Sequence, residues 1–156
     1  NPVKYLQLKL LDIENESFEP YFEQVFKFVD DAMNENDGQN ANKILVHCQM
    51  GVSRSSTMLI AYLMHYKKWS LVDAYQWVKQ RRRMISPNNG FLKQLMILEE
   101  KLFNGKSTVF EIESRKIRNL KHFRNFLQGK AGKRRNEANM LQNSIWLINA
   151  AKTANT

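Results

Sequence analysis

The stretch KILVHCQMGVSRSS, residues 43–56, constrains the fold more than any other part of the sequence. It begins with a short continuous apolar run, the pattern of a strand buried on both faces. From about Arg54, the residues RSSTMLIAYLMHYKK place Met58, Leu59, Ala61, Tyr62 and Leu63 at helical spacing. Between them lies a short loop that holds Gly51 and the chain's single cysteine, Cys48. A buried strand that passes through a tight loop into an apolar helix is an α/β element, and further helices follow it.

The surrounding sequence supplies matching parts. VKYLQLKLL alternates Val3, Tyr5 (Leu6), Leu8 and Leu10 as a strand would, and Asp12 sits just beyond its end. SFEPYFEQVFKFVDDAMNEN reads as a helix, with Phe22, Val25, Phe26, Val29 and Met33 at helical spacing, Ser17 as its cap and Pro20 in the first turn. DGQNANK is a polar break. Beyond the central helix, SLVDAYQWVKQRRR reads as a helix capped by Ser70, with Asp73 at the third helical position. SPNNG is a turn, and GFLKQLMILEEKLF is a further helix.

Charge divides the 156 residues in two. Residues 1–103 hold 13 Lys/Arg and 12 Asp/Glu, whereas residues 104–156 hold 11 and 3. The overall charge of +9 therefore belongs to the C-terminal third. That third carries Ile117, Leu120, Phe123 and Leu127 at helical spacing, a Gly-containing basic hinge, and a last apolar periodicity through Leu141, Ile145 and Ile148. These pieces are too few for a core of their own. The expected organisation is a domain over 1–104 and a basic helical extension over 105–156. The extension is read either as a solvated face or as a docking element for an acidic partner: RNA, an acidic protein surface or anionic lipid. No run reaches the ~20 apolar residues of a membrane-spanning helix. A lone cysteine forms no internal disulfide, which suits a reducing compartment; the cytoplasm is the expectation, with nucleus or another organelle open.

The loop carries the chemistry. Backbone N–H groups of a Gly-containing loop, joined to a helix N-terminus, make a cradle for a phosphate dianion. Gly51 admits a backbone conformation that other residues avoid. Arg54 adds a planar fork for two phosphate oxygens. The same positive field favours the thiolate of Cys48 over its thiol, which makes it a nucleophile aimed at a bound phosphorus. Asp12, with Glu14 and Glu16 as nearby rivals, is the candidate proton donor and acceptor.

The spacing H-C-x5-R-S in this context resembles the cysteine-dependent protein tyrosine phosphatase superfamily, and within it the dual-specificity protein phosphatases. The resemblance runs from about Tyr5 to Leu102, through LKLLDIENESFEPYFEQVFKFVDDA, HCQMGVSRSS and AYLMHYKKWSLVDAYQWVKQRRRMISPNNGFLKQLMILE. It implies an α/β fold with a central, mostly parallel sheet flanked by helices, in which Cys48 forms a phosphocysteine and Arg54 binds the phosphate. It implies further that the amides of Gln49, Met50, Gly51, Val52 and Ser53 hold its oxygens, that Ser55 assists thiolate release, and that His47 orders the loop. Asp12 aligns with the general acid. No metal or cofactor is implied. The resemblance also implies a strand, a helix and another strand ahead of the segment opened by Tyr5. These are missing here, so the domain is expected to be partial at its N-terminus, with an exposed sheet edge.

Gln49, Met50 and Val52 place no lysine inside the loop, unlike many phosphoinositide phosphatases of the superfamily. Ser55-Ser56 stands where RNA triphosphatases and several relatives carry Thr-Gly. Both features favour phosphotyrosine and phosphoserine/threonine in proteins as substrates. The alternative is a phosphatase fold kept as a non-catalytic scaffold that docks through its basic tail. A rhodanese-like sulfur transferase also uses a cysteine loop, but Ser53-Arg54-Ser55 and the helices after it speak against that. Arg81, Arg82 and Arg83 read as a solvated helix end, and Trp69 and Trp77 as packing residues.

Overall fold

The computed structural model describes residues 3–35 and 43–105. Residues 36–42, which hold the polar break up to Lys43, and the basic extension from residue 106 onward lie outside the described residues. Four helices form: α1 (Glu19–Asn34), α2 (Arg54–Lys67), α3 (Leu71–Arg81) and α4 (Asn89–Leu102). None of them is long and apolar enough to cross a membrane.

Helix α2 is the hub. Every residue from Ser55 to Met64 is buried, so all sides of this helix are covered, and α1, α3 and α4 each pack against it. Its polar first turn is satisfied internally. Ser56 Oγ donates to the carbonyls of Val52 and Ser53 at 2.6 and 2.9 Å, and Thr57 Oγ1 donates to that of Ser53 at 2.8 Å. Burying these hydroxyls without partners would cost about 1–3 kcal/mol each. Helix α1 lays Phe22, Val25, Phe26 and Val29 on the core, as its spacing predicts, with Met33 half-buried. Phe26 stacks on His65 of α2 with ring centroids 4.5 Å apart.

The start of α1 departs from the expected Ser17 cap. Phe18 is the N-cap residue, in helical backbone conformation and without a side-chain cap bond. A residue of α4 does the capping instead: Gln94 Oε1 accepts from the Phe18 amide at 2.7 Å, while its Nε2 donates to the Glu16 carbonyl at 2.7 Å. Phe18 is fully buried, edge-on to Phe91 with centroids 4.4 Å apart. Tertiary burial of Phe18 therefore sets the entry of α1. By contrast, Ser70 caps α3 as its sequence predicts, accepting from the Asp73 amide at 3.1 Å. Buried Glu99 of α4 takes the next orphan donor, accepting from the Leu71 amide at 2.7 Å.

Neither expected strand is assigned among the described residues, so the central sheet is not seen there as a ladder. Both segments nevertheless keep a strand's period of two. In the first, Leu6, Leu8 and Leu10 turn partly inward, while Val3 and Tyr5 are 71% and 85% exposed. The inward set thus excludes the two residues that were expected to open it. In the second, Ile44, Val46 and Cys48 turn inward, while Leu45 and His47 are exposed. The run was expected to be buried on both faces. One face alone is covered among the described residues, because the helical core that contains Ile44 lies on that side.

Candidate active site

The alternation that buries Ile44 and Val46 also delivers Cys48 inward at the end of the segment. The chain then turns sharply. Gly51 adopts φ 64°, in the left-handed region that costs an L-residue roughly 1–2 kcal/mol. Ser53 is the N-cap residue of α2 and Arg54 its first residue. Cys48 and Ser55 are thereby brought together, with Sγ and Oγ 3.2 Å apart, and the Gly51 amide donates to Cys48 Sγ at 3.2 Å. Burial pushes the Cys48 thiol up. Hydrogen bonds from the Ser55 side chain and backbone, and from the amides of Gly51 and Met50, outweigh it and hold the pKa below the ordinary thiol value.

Four successive carbonyls of the loop are tied outward. Those of Met50 and Gly51 accept from the Arg82 guanidinium, at 3.1 and 2.9 Å. That of Val52 accepts from the Ser86 amide at 2.8 Å as well as from Ser56, and that of Ser53 accepts from Thr57 and Ser56. In a trans peptide, the N–H of one residue points opposite the carbonyl of the residue before it. Fixing these carbonyls therefore turns the amides of Gly51, Val52, Ser53 and Arg54 to the concave side. Gly51 and Ser53 are buried, Val52 is half-buried, and Gln49 and Met50 are exposed at the mouth.

Arg54 joins the loop to the first segment. Its Nη1 donates to the Leu10 carbonyl at 3.0 Å, and its Nε lies 3.9 Å from Asp12 Oδ2. That Nε is buried and makes no hydrogen bond. A buried guanidinium N–H without an acceptor is costly, and an anion oxygen in the cradle would satisfy it. Asp12 is held from the other side by Asn88, whose Nδ2 donates to Oδ1 at 3.0 Å. Of its two rivals, Glu16 folds back to accept from the Leu11 amide at 3.0 Å, and the exposed Glu14 meets α4 through its backbone. Asp12 is the carboxylate paired with Arg54.

Three features were not anticipated from the sequence. His47, expected to order the loop, faces solvent, and the bonds that fix the loop come from Ser56, Thr57, Arg82 and Ser86. Arg82, read as part of a solvated helix end, grips the loop, while its neighbour Arg81 lies 3.5 Å over the ring of Trp77. Asn88 does three things: its Oδ1 caps α4 by accepting from the Phe91 amide at 2.9 Å, its amide donates to Ser53 Oγ at 3.2 Å, and its Nδ2 holds Asp12. An Asn just before an apolar helical run is a readable cap signal. Its bond to Asp12, 76 residues away, is not readable from local pattern.

The chain is similar to known proteins in sequence and in fold. Residues 1–101 match the family described as dual specificity phosphatase, catalytic domain. The chain is 40% identical over 111 residues to human dual specificity protein phosphatase 14, covering 71% of this chain and 53% of that protein. It is 37% identical over 105 residues to human dual specificity protein phosphatase 21, covering 67% and 53%. The chain thus spans about half the length of the curated relatives it matches. Among solved structures, the Yvh1 phosphatase domain from Chaetomium thermophilum superimposes with a TM-score of 0.58 at 29% identity, over 67% of this chain and 70% of that one. The fold is therefore that of the dual-specificity phosphatases, and the chain belongs to their catalytic-domain family within the protein tyrosine phosphatase superfamily.

Proposed function

We propose that this chain hydrolyses phosphate monoesters on tyrosine and on serine or threonine of proteins, through a phosphocysteine. The observation that carries the proposal is the Cys48 thiol bonded to Ser55 Oγ and the Gly51 amide, each at 3.2 Å, beside the buried and unbonded Arg54 Nε, with its pKa held below the ordinary thiol value.

In the first step, the Cys48 thiolate attacks phosphorus as the bond to the leaving oxygen breaks. Protonated Asp12 gives that oxygen its proton. The amides from Gly51 to Arg54 and the Arg54 guanidinium hold the non-bridging oxygens, where charge must be stabilised as the transition state forms. In the second step, the Asp12 carboxylate takes a proton from water, and the water oxygen attacks phosphorus as the S–P bond breaks. Ser55, 3.2 Å from Sγ, donates a hydrogen bond to the departing thiolate. Inorganic phosphate leaves, and Asp12 is again protonated. A loop with no lysine at Gln49, Met50 or Val52, and an open mouth at Met50, support a protein substrate over a polyanionic lipid headgroup.

The test is phosphate release by the full chain, reduced, from phosphotyrosine and phosphothreonine peptides, a phosphoinositide and an RNA 5′-phosphate. Release from both peptides that is abolished by Cys48→Ser is the expected result. Absence of Cys48-dependent release from all four refutes hydrolysis and leaves the non-catalytic scaffold as the reading, and release from the phosphoinositide or RNA 5′-phosphate alone refutes the protein substrate.

A further inference from the structure

We infer that Arg82, outside the Cys48–Arg54 loop, is the positioning residue that aims the anion-binding amides. The inference rests on the reading of that loop as a phosphate site and adds a residue to it. Arg82 is the C-cap residue of α3, and its backbone role is complete without the side chain: its amide donates to the Val78 carbonyl at 2.9 Å, and its carbonyl accepts from the Ile85 amide at 3.3 Å. The side chain does something separate. Nε donates to the Gly51 carbonyl at 2.9 Å and Nη2 to the Met50 carbonyl at 3.1 Å, so one edge of the guanidinium spans two adjacent peptide units.

Those two peptide units carry the N–H groups of Gly51 and Val52. The first already donates to Cys48 Sγ at 3.2 Å. Without the fork, the Met50 and Gly51 carbonyls have no donor among the described hydrogen bonds. The hinge between them is Gly51, at φ 64°, the residue of the loop whose backbone is freest to turn. By contrast, the Val52 and Ser53 carbonyls are held by Ser86 and by the first turn of α2, whatever Arg82 does. Arg82 thus braces the half of the cradle that hinges at Gly51. A lysine at this position has three rotatable donors on a flexible stem but no rigid planar fork, so it does not fix the angle between the two peptide units as the guanidinium edge does.

The test uses the full chain with Arg82→Met, Arg82→Lys and, as a charge-matched control, Arg83→Met, which removes an exposed neighbouring arginine. Three quantities are read: tungstate affinity, the pH profile of Cys48 alkylation by neutral iodoacetamide, and thermal unfolding. Arg82→Met is expected to weaken tungstate about 10-fold, roughly the loss of one charge-assisted hydrogen bond, and to slow alkylation several-fold on the acid side of neutrality. Arg83→Met is expected to stay within about twofold of wild type, because an exposed charge at a distance is screened. Arg82→Lys should recover less than half of the loss on a logarithmic scale. Equal effects of Arg82→Met and Arg83→Met, or full recovery by lysine, overturn the inference in favour of a simple charge effect. If Arg82→Met does not fold, Arg82→Lys carries the test: weakened tungstate at unchanged unfolding temperature supports positioning, and wild-type affinity overturns it. Should the wild type bind no tungstate and release no phosphate, the reading of the loop as a phosphate site fails. The alkylation profile still decides the role of Arg82, because the thiolate is held by the same amides.

Discussion

Gly90 is where a single methyl group should separate the candidate acid from the nucleophile. It lies in the first turn of α4, and a Cβ built on it would sit 1.8 Å from the Glu14 carbonyl oxygen, 2.5 Å from its carbon and 2.7 Å from its Cα. All three are backbone atoms, so no rotamer change relieves the clash. Reaching even 3.0 Å, below which Cβ contacts are essentially absent, takes a displacement of at least about 1.2 Å. The α4 side resists, since Phe91 is fully buried and its amide is tied to Asn88. Residues 11–15 are exposed and give way. Asp12 is two residues from Glu14, and its bond to Asn88 starts at 3.0 Å. A shift of that size takes the bond beyond hydrogen-bonding range. Misplacing a catalytic group by ~1 Å costs up to about 100-fold in rate, so Gly90→Ala should lower kcat by about 10- to 100-fold. Stability should fall by about 1–3 kcal/mol from overpacking, partly offset by the better helix propensity of alanine. The assay compares a phosphothreonine peptide with an activated aryl phosphate. The alkyl leaving group needs the proton more, so the peptide should suffer most. Cys48 alkylation should be unchanged, and Gly90→Ala combined with Asp12→Ala should be no slower than Asp12→Ala alone. Turnover by Gly90→Ala within about twofold of wild type on both substrates would refute the reasoning, as would a loss that simply adds to that of Asp12→Ala.

The Cys48 thiol, lowered by its bonds from Ser55, Gly51 and Met50 against the opposing effect of burial, should alkylate with a midpoint below that of a free thiol, and Ser55→Ala should move the midpoint up; a midpoint unaffected by Ser55→Ala would contradict the assignment. Because the folded pKa lies below the unfolded one, this group adds stability that is full above the ordinary thiol value and is lost as pH falls through the lowered folded value, a trend that unfolding of wild type against Cys48→Ser across pH should reveal. Glu99→Ala should cost about 1.5–3 kcal/mol by leaving the buried Leu71 amide without its carboxylate, measured by urea unfolding, and Glu99→Gln, which keeps an acceptor oxygen, should cost less.

The parts of this chain that could be read from the sequence are those set by local period and local chemistry. The apolar spacing of α1, the Ser70 cap and the loop from Cys48 to Arg54 each depend on residues within a turn or two of one another, and each forms where expected. Capping of α1 departs from expectation because the acceptor for the Phe18 amide, Gln94 Oε1, comes from a helix 76 residues later, and burial of Phe18 overrides the hydroxyl of Ser17. The expected strands depart for a related reason. Alternation in KILVH says which residues share a face, but how many faces are covered depends on what packs there, and Leu45 remains 47% exposed.

The candidate site divides along the same line, and the division has a mechanistic sense. The groups proposed to touch phosphate, Cys48 and Arg54 with the amides between them, lie in one local motif, where spacing alone fixes their chemistry. Beside Ser56 and Thr57 of α2, the groups that hold this motif in shape come from the turn after α3: Arg82 on the Met50 and Gly51 carbonyls, Ser86 on that of Val52, and Asn88 on Ser53 and Asp12. In sequence this turn looks like a solvated basic helix end followed by a Pro-Asn turn, because its donors serve backbone carbonyls more than 30 residues away. A convergent ring of N–H groups needs such an outer shell. Each inward amide is the reverse side of an outward carbonyl, and an outward carbonyl near the core must find a donor. Any loop that gathers an anion on one face must be gripped on the other, and in this chain residues 82–88 share that grip with the first turn of α2 and also hold the candidate acid.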